Sequence, residues 1–119
     1  MVKVKDPIID FDHLRLFTEG DPNLERDVLG IFVEQADIWI RNLEDSRDKK
    51  SWADAAHTLK GSARGVGAWR IAEICERAEE LVDSSTPTER SITLGDLKAA
   101  VAAAIQCIDL HLNALQAAE

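Results

Sequence analysis

The sequence predicts an all-α protein, an antiparallel four-helix bundle with a short additional N-terminal helix. Three observations predict it. Apolar residues recur at steps of three and four along four long stretches. No stretch alternates apolar with polar residues as a half-buried strand does. The breaks between the stretches are short, which sets consecutive helices side by side and antiparallel.

Residues 1–9 read as a flexible arm. Asp10 can cap a short helix carrying Phe11, Leu14 and Phe17. In EGDPN, a turn leads into a second helix, with Asp21 as its cap and Pro22 at the first helical position. That helix is expected to reach about Asp45, with Leu24, Val28, Phe32, Ala36, Trp39 and Leu43 on one face. DSRDKK is a polar break. A third helix is expected from about Lys49 to Arg64, ended by Gly65 and Gly67. A fourth starts near Ala68 and carries Ile71, Ile74, Cys75, Ala78, Leu81 and Val82. DSSTPTERS is the one loop-like linker. The last helix begins between Pro87 and Leu94; Thr86 and Glu89 can form a capping box, and Gly95 leaves the start open. Leu97, Val101, Ala104, Ile105, Ile108, Leu112 and Leu115 then run nearly to the C-terminus.

The 119 residues fit a single domain, and that length buries a core without staples. The net charge of −8 argues against a nucleic-acid partner or an anionic membrane surface, since phosphates call for a basic face. No uninterrupted apolar run is long enough to span a bilayer, and MVKVKDPIID has no apolar signal core. Cys75 and Cys107 lack CxxC spacing and are expected to be buried free thiols. A cytoplasmic monomer is the expectation.

The stretch HTLKGSARGVG, His57 to Gly67, places a glycine inside a helix, which costs about 1 kcal/mol relative to alanine. On a helical wheel, Trp52, Ala55, Ala56, Leu59, Ala63 and Val66 fall within about 60° of one direction, the core stripe. His57 lies about 140° from it, Lys60 about 80°, Arg64 about 120° and Gly61 about 180°. These four share a flank that does not face the core. Gly61 removes the side chain that would stand beside the imidazole, and Lys60 and Arg64 place positive charge around it. The arrangement suits a phosphoryl acceptor, because a neutral imidazole is a competent nucleophile near pH 7. On the wheel alone, a plain surface histidine and a helix-crossing glycine stay open as the other reading. His13 and His111 have no Lys-Gly neighbour and read as ordinary surface or boundary residues. With the three histidines on separate helices and no Glu-x-x-His pair, a metal-binding bundle is a poor fit.

AHTLKGSARGVGAWRIAEIC resembles the histidine-containing phosphotransfer (HPt) domains of phosphorelays. Their signature is a His, Leu at +2, then Lys-Gly, two small residues and a Gly at +10. His57, Leu59, Lys60, Gly61, Ser62, Ala63 and Gly67 agree with it. The sequence departs at Gly65, where many members carry Asn, and at Glu79, where some carry a Gln that contributes to the phosphate environment. An acid there would repel phosphate, so Glu79 receives no binding role.

The resemblance implies a stand-alone relay protein. His57 would take a phosphoryl group from the aspartyl phosphate of a receiver domain and pass it to another receiver's Asp. Lys60 would neutralise phosphoryl oxygens, Gly61 would give clearance, and Arg64 would assist at the rim. Mg²⁺ would come with the receiver, the chain having no cofactor of its own. No kinase ATP-binding module fits in the chain, so no autonomous kinase activity is expected. The alternative is a non-phosphorylated helical adaptor or inhibitor that binds a receiver or kinase domain. Docking needs an apolar patch. Ile31, Val33, Ile38 and Ile40 cannot all face the core and are candidates for it. Phe11, Leu14 or Phe17 of the short helix could join it, although Phe11 and Phe17 are expected to cover the bundle instead.

Overall fold

A computed structural model describes residues 8–81 and 86–118. It contains five helices and, among the described residues, no strand: α1 Phe11–Thr18, α2 Pro22–Asp45, α3 Lys49–Val66, α4 Trp69–Glu80 and α5 Pro87–Ala118. Four of the five helix starts carry a side-chain cap, and α4 begins after Ala68 without one. Asp10 accepts from the amide of His13, Asp21 from those of Asn23 and Leu24, and Asp48 from that of Ser51. These carboxylates satisfy amides that have no partner within the first turn. The start of α5 is set by a reciprocal capping box. The Glu89 amide donates to Thr86 Oγ1 and the Thr86 amide to Glu89 Oε1, both at 3.0 Å. Gly95 therefore lies well inside α5 and does not mark its start.

The helices close on one core. α2 packs on α3, α3 on α4, α4 on α5 and α5 back on α2, while α1 lies against α2 and α3. Leu29, Phe32, Ala36, Leu43, Leu59, Ile71, Ile74, Leu97, Val101 and Ile108 are buried between them. The Trp52 indole donates to the carbonyl of Ala78 at 2.8 Å, tying the start of α3 to the end of α4.

Several boundaries differ from expectation. Ile9 belongs to no arm: it is buried, and the next amide, Asp10 N, donates to Gly67 O at 2.9 Å; residues 1–7 lie outside the described set. The inner stripe of α2 sits one position later than expected near its start. Leu24 is exposed, while Glu25 is buried with His111 of α5 at 3.1 Å. An apolar count could not foresee a carboxylate drawn inward by a partner 86 residues away. Val28 and Trp39 are partly buried against the core. Gly65 stays helical, and α3 runs to Val66. Gly67, with φ 77°, ends it by turning its amide back to Ala63 and Arg64. α4 stops at Glu80, so Leu81 follows the helix as its cap; Val82 lies outside the described residues. Cys75 is buried as expected, but Cys107 is half-buried beside a groove lined by Ile8, Phe11, Ala103 and Leu110. By length and composition α5 could cross a membrane, although the sequence has no unbroken apolar run. Leu97, Val101, Ala104 and Ile108 of this helix are committed to the core.

Gly67 is where close approach and backbone conformation coincide. A Cβ there would stand 2.7 Å from Asp10 O, on a residue already at positive φ. Gly67→Ala is therefore expected to destabilise the fold by at least about 1 kcal/mol, read as a lower midpoint in urea unfolding. An unchanged midpoint would mean that α1 is not pinned to the α3–α4 turn as described.

Candidate functional site

α3 has two opposed faces. Trp52, Ala55, Ala56, Leu59, Ala63 and Val66 are all buried, as the wheel requires. His57, Gly61 and Gly65 follow one another at four-residue steps on the other side, and all are exposed. The His57 side chain is 72% exposed. A Cβ at Gly61 would meet no atom within 4 Å. Gly61 is thus not a helix-crossing contact, and the space beside the imidazole is open.

Lys60 differs from expectation. Its side chain is only 14% exposed, and Nζ lies 2.5 Å from Glu79 Oε1. The wheel put Lys60 nearest the core of the four, and α4 covers that side. Arg64 does stand outside, where Nη2 faces Glu76 Oε2 of α4 at 3.7 Å. It is seven residues beyond His57, about 10 Å along the axis.

Glu79 is the residue that sequence reasoning set aside. Near the end of α4 and 24% exposed, it bridges two α3 side chains: Oε1 faces Lys60, and Oε2 lies 3.2 Å from His57 Nδ1. Partial burial pushes its carboxyl up. The hydrogen bonds from Lys60 and His57, with their charges, pull harder and hold it below the ordinary glutamate value of 4.5. The pair's contribution to stability is therefore present above pH 4.5 and is lost as pH falls through the lower folded-state value. An ionised carboxylate only accepts hydrogen bonds. The proton between the two groups therefore sits on Nδ1, and the Nε2 lone pair points away from Glu79. A signal for this was present in the sequence. His57 lies ten residues before Gly67 and Glu79 twelve after it, and residues nearly equidistant from an antiparallel turn face each other.

Cys75, one turn before Glu79, is buried; burial and then the Glu79 charge push its thiol up to about 12. It is a neutral packing residue at physiological pH.

On its α1 side the exposed face of α3 has apolar neighbours. Leu16, Phe17, His13 and Gly65 line a shallow groove of about 290 Å³ where α1 meets α3. Phe17 is 64% exposed and does not cover the bundle; Phe11 does, stacked on His111 with ring centres 4.0 Å apart. On α2, Ile31 and Ile38 are exposed, whereas Val33 and Ile40 pack partly on the core. His13 sets its edge against Trp69, and His111 is held by Glu25, so neither joins His57. Among the described residues, no three His, Cys, Asp or Glu side chains gather as a metal site would require.

Residues 27–118 match the Hpt domain family. The chain belongs to the Hpt family. Its fold is similar to that of the histidine phosphotransferase ShpA from Caulobacter crescentus, with a TM-score of 0.71 and 35% identity over 95% of this chain and 100% of that one. It is also similar in fold to the histidine-containing phosphotransfer protein HptB from Pseudomonas aeruginosa PAO1, with a TM-score of 0.82 and 19% identity over 92% of this chain and 97% of that one. No match was found among curated proteins. Within this Hpt domain His57 is exposed, and its imidazole contacts Glu79 through Nδ1.

Two expected outcomes follow from these environments. Gly61→Ala should raise stability by up to about 1 kcal/mol in thermal melts, since alanine is the better helix former and meets nothing there. In the native protein a thiol reagent should modify Cys107 but leave Cys75 untouched until the fold opens; reaction of both at one rate would contradict the burial of Cys75.

Proposed function

We propose that this Hpt protein is a phosphorelay intermediate, built as a four-helix bundle, in which His57 takes a phosphoryl group from the aspartyl phosphate of one receiver domain and gives it to the Asp of another. The observation that carries this reading is the state of His57. Its ring is exposed, its Nδ1 is engaged by Glu79, and open space lies beside it at Gly61. Nε2 is then the atom that attacks phosphorus, in line with the departing carboxylate oxygen. Phosphoryl transfer needs positioning and neutralisation of charge more than covalent help. Lys60 is the nearest cation to supply it, by sharing its ammonium between Glu79 and the phosphoryl oxygens; Arg64 contributes at the rim.

Leu16 and Phe17 of α1 and Ile31 and Ile38 of α2 are among the exposed apolar side chains on the helices that pack on α3, and they suit a receiver's docking face. The receiver brings Mg²⁺. The protein works in the cytoplasm and has no kinase activity of its own.

His57→Gln should abolish labelling by a phosphorylated receiver while leaving helical circular dichroism unchanged. Labelling that persists, or that moves to His13 or His111, would overturn the assignment. Binding of a receiver with no labelling of the parent protein would favour an adaptor instead. ATP and Mg²⁺ without a kinase should leave His57 unmodified. In single-turnover transfer, Gly61→Ala should be slower than the parent and Gly61→Gln slower still, although neither loses stability. Transfer at the parental rate in both would remove clearance as the reason for the glycine.

A further inference from the structure

Among the described residues, Glu25 is the one charged residue buried in the core. Its Oε2 lies 3.1 Å from His111 Nε2 of α5, while the buried Oε1 makes no hydrogen bond. We infer that this pair is a pH-sensitive latch on α1: a charged His111 holds the short helix against α2 and α5, and loss of that charge loosens it. The inference rests on the relay reading for its use, because α1 carries Leu16 and Phe17 beside the open face of α3. The latch itself concerns this chain alone.

Histidine is the side chain whose charge changes between about pH 5 and 8. A buried carboxylate is held best by a partner of opposite charge, and a charge-assisted hydrogen bond is about twice as strong as a neutral one. The imidazole has a second attachment, and that one is to α1: Phe11 stacks on it with ring centres 4.0 Å apart. An aromatic face attracts a cation, so one proton strengthens the hold on Phe11 and on Glu25 together. The His111 side chain is 16% exposed and lines the groove formed with Ile8, Phe11, Ala103 and Leu110, through which a proton reaches the ring from solvent. The hold on α1 is therefore present while the ring is charged and is lost as pH rises through its titration.

The neighbouring groups leave this role to His111. From α1, Arg15 Nε lies 4.0 Å from Glu25 Oε1, too far for a hydrogen bond, and its Nη1 is turned outward to Asp12 at 3.3 Å. Asp12 is exposed, and His13 sets its edge against Trp69. On α2, Arg26 donates to Asn23. On α5, Cys107 stands one turn before His111 along the same groove, and Asp109 is exposed. α1 has other anchors. Asp10 ties its start to Gly67 and Trp69, and Leu14 is buried in the core, which removes it from any docking patch. Loss of charge on His111 thus loosens α1 without detaching it.

The test uses the isolated full chain and needs no receiver. Amide hydrogen exchange, corrected for intrinsic rates, is followed helix by helix at the two ends of the histidine range, about pH 5.5 and about pH 8. The proteins are the parent, His111→Gln and Phe11→Leu. In the parent, protection of the α1 amides should fall about fivefold more than that of the other helices as pH rises, as expected when a charge-assisted hydrogen bond becomes a neutral one. His111→Gln still offers Glu25 a donor but carries no charge, so its α1 should show the lower protection at both pH values. Phe11→Leu keeps an apolar cover without the aromatic face and should show a smaller fall than the parent; it decides the matter where His111→Gln does not fold. Equal α1 protection at both pH values in the parent would overturn the latch. So would a fall of the same size in all five helices, or the full parental fall in either variant. The relay reading is tested apart from it: failure of every phosphorylated receiver to label His57 would count against the relay and leave the latch standing.

Discussion

Small side chains on both partners let α3 and α4 lie close together. Ala56 and Ala63 of α3 and Ala72, Cys75 and Ala78 of α4 are buried in the same core, and these two helices form the most extensively packed pair in the molecule. The Trp52 indole, bonded to the Ala78 carbonyl, holds the far ends of the pair in register. At this closeness one short carboxylate on α4 can reach two residues of α3 that are three positions apart. A longer spacing would leave Lys60 facing solvent and the imidazole free to rotate. The site is therefore a product of how tightly the two helices pack, and the core alanines belong to its chemistry as much as to its stability.

The turn between those helices carries a second constraint. Gly67 takes a positive φ, ends α3 and offers its carbonyl to Asp10. Asp10 in turn caps α1 and accepts from the Trp69 indole at 3.1 Å. One aspartate thus anchors the short helix to the turn, and the anchoring leaves Leu16 and Phe17 exposed beside the bare face of α3. Dispersed apolar residues on a surface are ordinary, but here they stand next to a stripe kept open by His57, Gly61 and Gly65. The physical asymmetry of α3, dense on one side and open on the other, gives the molecule a front.

Glu25 of α2 is almost wholly buried, with His111 against it, Arg15 4.0 Å away and Phe11 stacked on the same imidazole. A buried carboxylate requires partners, and α1 and α5 supply them here. This cluster joins α1, α2 and α5 just as the Glu79 cluster joins α3 and α4. The two acids use similar chemistry to different ends. Glu25 is closed off by the helices around it, whereas Glu79 leaves one imidazole nitrogen open to the outside.

By itself the sequence determined what depends on neighbours along the chain. The helices, the caps at Asp10, Asp21 and Thr86, the core stripe of α3 and the outward placement of His57 and Gly61 all follow from local spacing, because a helix fixes direction every hundred degrees. The His-Leu-Lys-Gly pattern carried the family for the same reason. What only the tertiary structure decided are contacts between residues far apart in sequence. Lys60 is paired rather than free, Glu79 lies against both Lys60 and the imidazole, Ile9 enters the core, and Glu25 displaces Leu24 from the inner face of α2. In each case a charged or terminal residue took its place from a partner that periodicity does not register. Apolar patterns report which side of a helix is buried; they do not report which polar group waits across the seam.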